Sequence, residues 1–246
     1  MSLIDLTDLA DDHAPDGIDD LCRRAAAHGT AAVCVWPEFV ARCAEVLRGS
    51  DVRVATVVNF PSGDEAVADV VGATRRALAD GADDIDVVLP YRAFDAGDIE
   101  RAADMVAAVA DAVEPPAIVK VILESGELAD ADAVAAAARL AIEHGADFVK
   151  TSTGKTSHGA SLDAATAMLG EIARVHGETG RTIGLKPSGG IRSLADAAAY
   201  IELADAAMGA GWATPATFRF GASGLLDALL AVIDDDPDAA PTASAY

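Results

Sequence analysis

Several residue types are scarce in this sequence of 246 residues, and their scarcity narrows the possible classes of protein. There is one asparagine, Asn59, no glutamine and only four lysines, and 4% of the residues are aromatic. No run of about 18 apolar residues occurs, so we expect no membrane-spanning helix. The three cysteines, Cys22, Cys34 and Cys43, follow no metal-ligand spacing and fit a reducing compartment. The N-terminal segment lacks the basic and then apolar pattern of a secretory signal peptide, which predicts a cytoplasmic protein.

Negative charge, by contrast, is abundant: 40 acidic residues stand against 18 Lys and Arg residues, and the formal net charge is −22. With 52% hydrophobic residues the chain can still build a large core, which excludes a disordered protein. The electrostatic field of so negative a protein repels nucleic acids and anionic membranes. We therefore expect neither as a partner. The preference for Arg over Lys and the many alanines also fit a GC-rich genome. The acidic excess goes further and suggests a high-salt cytoplasm, in which salt screens the repulsion.

Short apolar runs alternate with alanine-rich amphipathic segments along almost the whole chain. The runs predict strands over 31–36, 52–60, 84–91, 117–124, 146–152, 182–188, 204–210 and 217–223, and the segments between them predict helices over 38–48, 64–80, 98–113, 130–144, 161–177, 193–203 and 222–233. Continuous apolar runs are typical of parallel strands covered on both faces. Eight repeats predict an α/β fold, a single (β/α)8 TIM barrel over 1–233, with an acidic, mobile tail over 234–246. An open doubly wound sheet is the alternative, but the sequence lacks its glycine-rich fingerprint after the first predicted strand.

Helix ends carry their own signals. Gly29, Gly81 and Gly145 each follow a helical pattern, where a left-handed residue commonly ends a helix. Ser62 and Ser193 precede helical patterns and are candidate N-caps.

Three of the four lysines lie inside predicted strands. Lys120, Lys150 and Lys186 belong to the fourth, fifth and sixth of these strands, among apolar neighbours. One such lysine alone would indicate a buried ion pair. Three on successive strands would repel one another, and repulsion and burial both lower a lysine pKa. A lysine that is neutral near pH 7 is a carbonyl nucleophile that can form a Schiff base.

Carboxylates in apolar surroundings complement these lysines. Asp86 lies inside a predicted strand, where it would pair with an ammonium group or relay protons. Asp84, at the start of the same strand, is expected to face solvent or to cap the preceding turn. Asp5 is a second buried candidate, although an N-terminal capping role explains it equally well.

Glycine-rich segments follow three late strands, at 151–155, 187–191 and 221–225. Such loops let the backbone approach an anion, and late loops of a barrel commonly bind phosphate. Each alone would be an ordinary turn, but together, with Lys155 and Arg192 nearby, they predict a phosphate site.

The five histidines share no ligand spacing, and neither a Ser-His-Asp arrangement nor a Walker-type loop occurs, so we expect no metal centre and no nucleotide hydrolysis.

At these residues the sequence resembles the deoxyribose-phosphate aldolase family. The shared segments, which run through most of the chain, are 5–7, 33–37, 58–61, 86–92, 120–128, 148–155, 186–192 and 218–223. Phe-Val-Lys-Thr-Ser-Thr-Gly at 148–154, with Lys-Pro-Ser-Gly-Gly at 186–190, is the most specific part.

The resemblance implies reversible cleavage of 2-deoxy-D-ribose 5-phosphate, with no metal or organic cofactor. It implies that Lys150 forms the Schiff base, that Lys186 lowers the pKa of that amine, and that Asp86 relays protons through water. Asp5 and Lys120 would line the site, with Cys34 as a packed thiol beneath the pocket. The phosphate would be held by Gly154, Lys155, Gly189, Gly190, Ser223 and Gly224. Gly224 replaces a serine of many relatives, which removes one hydroxyl contact but leaves a backbone N–H.

Two other functions fit parts of this pattern. An aldolase for a different phosphosugar would keep the barrel and the lysines. A non-catalytic phosphosugar-binding barrel would keep the glycine loops but would not need Lys150 and Lys186 together. The family resemblance also implies a homo-oligomer, either a dimer or a tetramer. Tyr246 is either a terminal residue without a role or a phenol that the tail brings to the reacting carbon by folding over the pocket.

Overall fold

A computed structural model describes residues 1–11 and 15–233, and within them eight strands alternate with helices. The strands are β1 Ile4–Asp8, β2 Ala32–Val35, β3 Arg53–Val58, β4 Asp84–Val88, β5 Ile118–Ile122, β6 Phe148–Lys150, β7 Gly184–Lys186 and β8 Phe220–Ala222. The α-helices are α1 Pro15–His28, α2 Val40–Val46, α3 Val67–Ala79, α4 Tyr91–Asp95, α5 Ile99–Ala110, α6 Ala131–Glu143, α7 Leu162–Thr179, α8 Leu194–Met208 and α9 Leu225–Ile233. The predicted tail at 234–246, with Tyr246, lies outside the described residues.

The strands form one parallel sheet that closes on itself. Its order is β7-β6-β5-β4-β3-β2-β1-β8, and every neighbouring pair in that order is parallel. Two bridges, Leu185 to Phe218 and Ser188 to Gly221, join β7 to β8 and close the ring. The predicted single (β/α)8 barrel is confirmed, and the open-sheet alternative is wrong.

Two parts of the strand prediction are wrong. The first strand, β1, was missed because Asp5, Thr7 and Asp8 make it look polar. The predicted strand at 204–210 belongs to the end of α8 and the turn that follows. That run consists of small residues, largely alanine, which favour a helix. The three lysines therefore lie on β5, β6 and β7, still on adjacent strands.

The predicted helix ends are mostly confirmed. Gly29, Gly81 and Gly145 have φ values of 61°, 103° and 109°. Ser193 caps α8 and forms a capping box with the side chain of Asp196. Ser62 is not an N-cap, because α3 begins at Val67.

Side chains alternate between the two faces of each strand and divide the core into two parts. Outward residues, such as Val33 and Ile85, join the large apolar cluster between strands and helices. A small apolar cluster lies inside the barrel, on and just after the first three strands: Leu9, Ala32, Cys34, Ala55 and Val57. Inward positions of β4 to β7 include buried charged side chains, and β1 adds Asp5 to them. The barrel interior therefore holds an apolar cluster beside an ionic one.

Candidate active site

The two predicted catalytic lysines and the supporting Lys120 lie together inside the barrel. Strand register pairs Asp86 with Lys120, Ile122 with Lys150, and Lys150 with Lys186. The three lysines are 0%, 2% and 0% exposed. Because side chains at paired positions of parallel strands point the same way, the three amines meet at one place in the interior.

A single carboxylate, Asp86, binds all three amines. Its Oδ1 accepts from Lys120 Nζ at 3.0 Å, and its Oδ2 accepts from Lys150 Nζ at 2.9 Å and from Lys186 Nζ at 2.7 Å. Burial by itself raises the pKa of the Asp86 carboxyl, but the three ammonium groups outweigh it and hold the pKa well below its usual range. Asp86 is therefore an anion at neutral pH.

Asp84 also belongs to this buried cluster, and the expectation that it faces solvent or caps a turn is wrong. It lies two residues before Asp86 on the same face of β4 and is fully buried. Its Oδ2 accepts from Lys120 Nζ at 2.5 Å, and its Oδ1 accepts from Arg53 Nε at 2.6 Å. Period-two alternation therefore brings both aspartates into the barrel.

Asp5, on β1, holds a second chain of charges. Its Oδ2 lies 2.6 Å from Lys186 Nζ, and its Oδ1 accepts from Arg219 at 2.8 Å. Burial raises the pKa of Asp5, but Lys186, Lys120 and Arg219 together lower it below its usual value. The side chain is thus an interior ion-pair partner, and the capping alternative is wrong.

The pKa of Lys186 is shifted in the direction opposite to the prediction from burial and repulsion. Burial lowers this pKa, but Asp5 and Asp86 raise it well above its usual value. The prediction counted neighbouring amines and left out the carboxylates on β1 and β4. Lys186 is consequently a fixed cation beside Lys150.

Lys150 is the amine with the fewest ionic partners in the cluster. Among the described residues it pairs with Asp86 alone, whereas Lys120 has three carboxylates within 4 Å and Lys186 has two. A reaction at the Lys150 nitrogen therefore disturbs one ion pair and leaves the others intact.

The three glycine-rich loops converge at the carboxyl end of the barrel. Gly154, Gly189 and Gly190 have φ values of 80°, 88° and 84°, and a Cβ built on Gly189 would lie 3.4 Å from Gly154 Cα. The N–H of Gly221 donates to Pro187 O at 2.9 Å. A Cβ on Gly221 would lie 2.7 Å from Ser188 Oγ and 3.2 Å from Lys186 Cε.

The remaining predicted phosphate residues flank these loops. Lys155 Nζ lies 3.1 Å from Asp11 Oδ1 and 5.8 Å from the centre of the Trp36 ring. Ser223 and Gly224 directly precede α9. The structure thus brings the predicted residues to adjacent loops at one end of the barrel.

Cys34 is fully buried on β2 within the interior apolar cluster. Burial raises the pKa of its thiol, which keeps the group protonated. The thiol is therefore a packed group of the barrel interior.

Sequence reasoning missed three charged residues near the site: Arg53, Arg219 and Glu124. Arg219 is only 4% exposed and lies between two aromatic residues, a signal like the one that identified the lysines. Arg53 and Arg219 also line a cavity of about 450 Å³ at the amino end of the barrel. Glu124 is fully buried just after β5, with a φ of 51°.

Within the described residues, no group of three or more His, Cys, Asp or Glu side chains is arranged to hold a metal ion, and no helix there could span a membrane.

Comparison with known proteins agrees with this geometry. Residues 1–230 match the family described as DeoC/LacD family aldolase. A deoxyribose-phosphate aldolase of Agrobacterium fabrum (strain C58 / ATCC 33970) is 50% identical over 237 residues, which cover 95% of this chain and 90% of the relative. The crystal structure of a putative deoxyribose-phosphate aldolase from Coccidioides immitis is 31% identical, with a TM-score of 0.80 over 95% of this chain and 84% of that one. An apo structure of a putative deoxyribose-phosphate aldolase from Toxoplasma gondii ME49 is 27% identical, with a TM-score of 0.86 over 95% and 94%. The chain therefore belongs to the DeoC/LacD family of aldolases.

Proposed function

We propose that the protein reversibly cleaves 2-deoxy-D-ribose 5-phosphate into D-glyceraldehyde 3-phosphate and acetaldehyde, through a Schiff base on Lys150 and without a metal or organic cofactor. The reaction would serve deoxyribose phosphate catabolism in the cytoplasm. One observation carries the proposal: Lys150 is a buried amine with one carboxylate partner in the described part of the chain, Asp86, which it shares with the fixed cation Lys186. A binding protein has no need for that arrangement.

The first half of the reaction takes place on the Lys150 amine. After its ammonium group loses a proton to water, the Lys150 amine attacks C1 of the open-chain sugar. Protonation of the carbinolamine hydroxyl and its loss as water then give an iminium ion. Only the contact between Lys150 and Asp86 is disturbed by this attack. Lys186 stays paired with Asp5 and keeps its positive charge beside the reacting nitrogen.

The second half breaks the C2–C3 bond. Removal of the proton from the C3 hydroxyl lets that bond break, its electron pair forms an enamine with the iminium, and C3 leaves as the aldehyde of glyceraldehyde 3-phosphate. Asp86, which is ionised, would act through water to take the proton of the C3 hydroxyl and deliver it to C2 of the enamine. Water then hydrolyses the acetaldehyde iminium, which releases acetaldehyde and restores the amine.

The other predicted residues have binding or supporting roles. The phosphate would be held at the convergent loops by Gly154, Lys155, Gly189, Gly190, Ser223 and Gly224, mostly through backbone N–H groups. Asp5 and Lys120 would hold Lys186 and Asp86 in place. Cys34 would pack beneath the pocket.

Borohydride trapping tests this chemistry. The protein is incubated with acetaldehyde, or with 2-deoxy-D-ribose 5-phosphate, in high KCl, reduced with borohydride and mapped by peptide mass spectrometry. We expect a reduced adduct on Lys150 that Lys150→Ala abolishes. Lys155→Ala is the matched control, and it should keep the acetaldehyde adduct because acetaldehyde carries no phosphate. A well-folded protein without an adduct would favour the non-catalytic binding barrel.

The division into a barrel over 1–233 and a tail over 234–246 also remains a proposal. So does a homodimer or homotetramer, which rests on the family resemblance alone. Light scattering coupled to size-exclusion chromatography measures the mass directly, and a monomer at micromolar concentration would contradict the proposed assembly.

A further inference from the structure

Glu124 is a buried carboxylate for which the proposed reaction has no use. It stands directly after Leu123 at the carboxyl end of β5, is 0% exposed and has a left-handed φ of 51°. Such a backbone conformation is uncommon outside glycine and costs free energy. Side chains held in this way often belong to functional sites, because the surrounding structure must compensate for the strain.

The carboxylate of Glu124 binds the loop that follows β6. It accepts from the N–H of Thr153 at 3.2 and 3.3 Å, from the hydroxyl of Thr153 through a short hydrogen bond, and from the hydroxyl of Thr156 at 3.4 Å. The Thr153 hydroxyl in turn accepts from the N–H of Lys155 at 3.0 Å. Glu124 therefore fixes the backbone on both sides of Gly154.

The same loop is held closely by backbone on both sides. A Cβ on Gly126, two residues after Glu124, would lie 2.5 Å from His158 Cβ. On the other side, a Cβ on Gly159 would lie 2.5 Å from Gly189 O. The loop over 153–159 is thus packed between the segment after β5 and the glycine loop after β7.

We infer that Glu124 is a positioning residue that presents the loop over 153–159, and with it the N–H groups around Gly154, to the phosphate of the substrate. This inference rests on the proposed function, since it assigns the loop to a phosphosugar. Glu124 acts through Thr153 and touches neither the reacting carbon nor Lys150. Its contribution is accordingly to affinity for phosphorylated sugars, and the chemical step does not depend on it.

The electrostatic surroundings of Glu124 agree with a structural contact of this kind. Burial raises the pKa of Glu124, while the hydrogen bonds from Thr153 and the charge of Lys150 oppose that shift. Thr153 and Thr156 donate hydrogen bonds to this carboxylate. Without those bonds it would be a buried, unpaired acceptor.

The test compares 2-deoxy-D-ribose 5-phosphate with unphosphorylated 2-deoxy-D-ribose. For Glu124→Ala we expect KM for the phosphorylated sugar to rise about tenfold or more, which corresponds to losing one hydrogen bond to a charged group. We expect kcat, and kcat/KM for the unphosphorylated sugar, to stay within about twofold. Inhibition by inorganic phosphate should weaken by the same factor as KM. Glu124→Gln, which keeps an amide oxygen for Thr153, should restore part of the affinity.

Glu127→Ala is the matched control, because it removes the same charge from an exposed position of the same segment. It should leave all parameters unchanged. If Glu124→Ala does not fold, Thr153→Val tests the same link from the other partner and should raise KM in the same way. Equal losses on both sugars, or an unchanged KM, would overturn the inference while the wild-type activity stands. A wild-type protein that cleaves neither sugar and forms no adduct on Lys150 would overturn the proposed function and this inference with it.

Discussion

Lys150 and Lys186 bind the same oxygen atom, Oδ2 of Asp86, at 2.9 and 2.7 Å. The strand register makes the two lysines neighbours, and the carboxylate holds their ammonium groups close together despite their repulsion. Lys186 is also held by Asp5, whereas Lys150 has no second carboxylate within 4 Å among the described residues. The two lysines therefore differ in how firmly they are held: Lys186 has two carboxylate partners in the described part of the chain and Lys150 has one.

Asp86→Asn is expected to reduce both stability and turnover. A neutral amide in its place leaves three buried amines without their common anion, and breaking buried ion pairs typically costs about 3–5 kcal/mol. Loss of the proton relay should lower kcat by about 10²–10⁴-fold. Urea unfolding and steady-state kinetics measure the two effects. Asp104→Asn, the same change on an exposed position of α5, is the control and should alter neither. Wild-type turnover in Asp86→Asn would exclude the relay.

Stability should depend on pH mainly at the acid end. The pKa values of Asp5 and Asp86 lie below those of unfolded aspartate, so their stabilisation is complete above about pH 4 and is lost as the pH falls through the folded pKa values. Lys186 has a raised pKa, so its contribution is complete below about pH 10 and is lost as the pH rises through its folded pKa.

From these three groups we expect a free energy of unfolding that is flat between about pH 5 and 9 and falls steeply below about pH 4. Urea titrations at several pH values measure the curve. In Asp5→Asn the free energy of unfolding should fall less steeply with pH below about pH 4, because one carboxylate with a lowered pKa is gone. An unchanged slope in that variant would contradict the assigned shift.

The acidic composition predicts that salt stabilises the protein. A net charge of −22 produces repulsion that screening reduces, since the Debye length falls from about 10 Å at 0.1 M salt to about 3 Å at 1 M. The buried ion pairs are shielded from solvent and should respond little. We therefore expect Tm to rise with KCl up to molar concentrations. A flat or falling curve would exclude adaptation to a high-salt cytoplasm.

Replacement of glycine by alanine should have opposite effects on stability at two positions of the barrel. A Cβ on Gly184 in β7 would overlap the ring of Phe148, and overpacking of this kind costs about 1–3 kcal/mol or more. At Gly170, inside α7, a Cβ would meet no neighbouring atom within 4 Å, and alanine is favoured over glycine in a helix by about 0.5–1 kcal/mol. Gly184→Ala should therefore lower Tm and Gly170→Ala should raise it. A stable Gly184→Ala protein would contradict the packing of β6 against β7.

The barrel and the three lysines could be predicted from the sequence because each has a local signal. Apolar runs repeat along the chain, and Lys120, Lys150 and Lys186 interrupt three of them. The first strand had no such signal, because Asp5 and its polar neighbours break the pattern. The run over 204–210 was wrongly predicted as a strand, although its alanines favour the helix that is present there.

The network of charges could not be predicted, because it depends on which strands become neighbours and in which register. Asp84 binds Arg53 because β4 lies next to β3. Asp5 binds Arg219 because the last strand pairs with the first. The raised pKa of Lys186 follows from these partners. Glu124 was missed for the same reason: its contacts with Thr153 join loops that lie 29 residues apart in the chain.

The missing side chain of Gly221 has a consequence for how the barrel closes. The space that a Cβ would fill there is occupied by Ser188 Oγ and by the stem of Lys186. The last strand and the seventh strand therefore share one fixed volume, and a larger residue on either would have to be matched by a smaller one on the other. Since Lys186 cannot be replaced by a smaller residue without losing the ammonium group that binds Asp5 and Asp86, the size of residue 221 is constrained by an ion pair on a different strand.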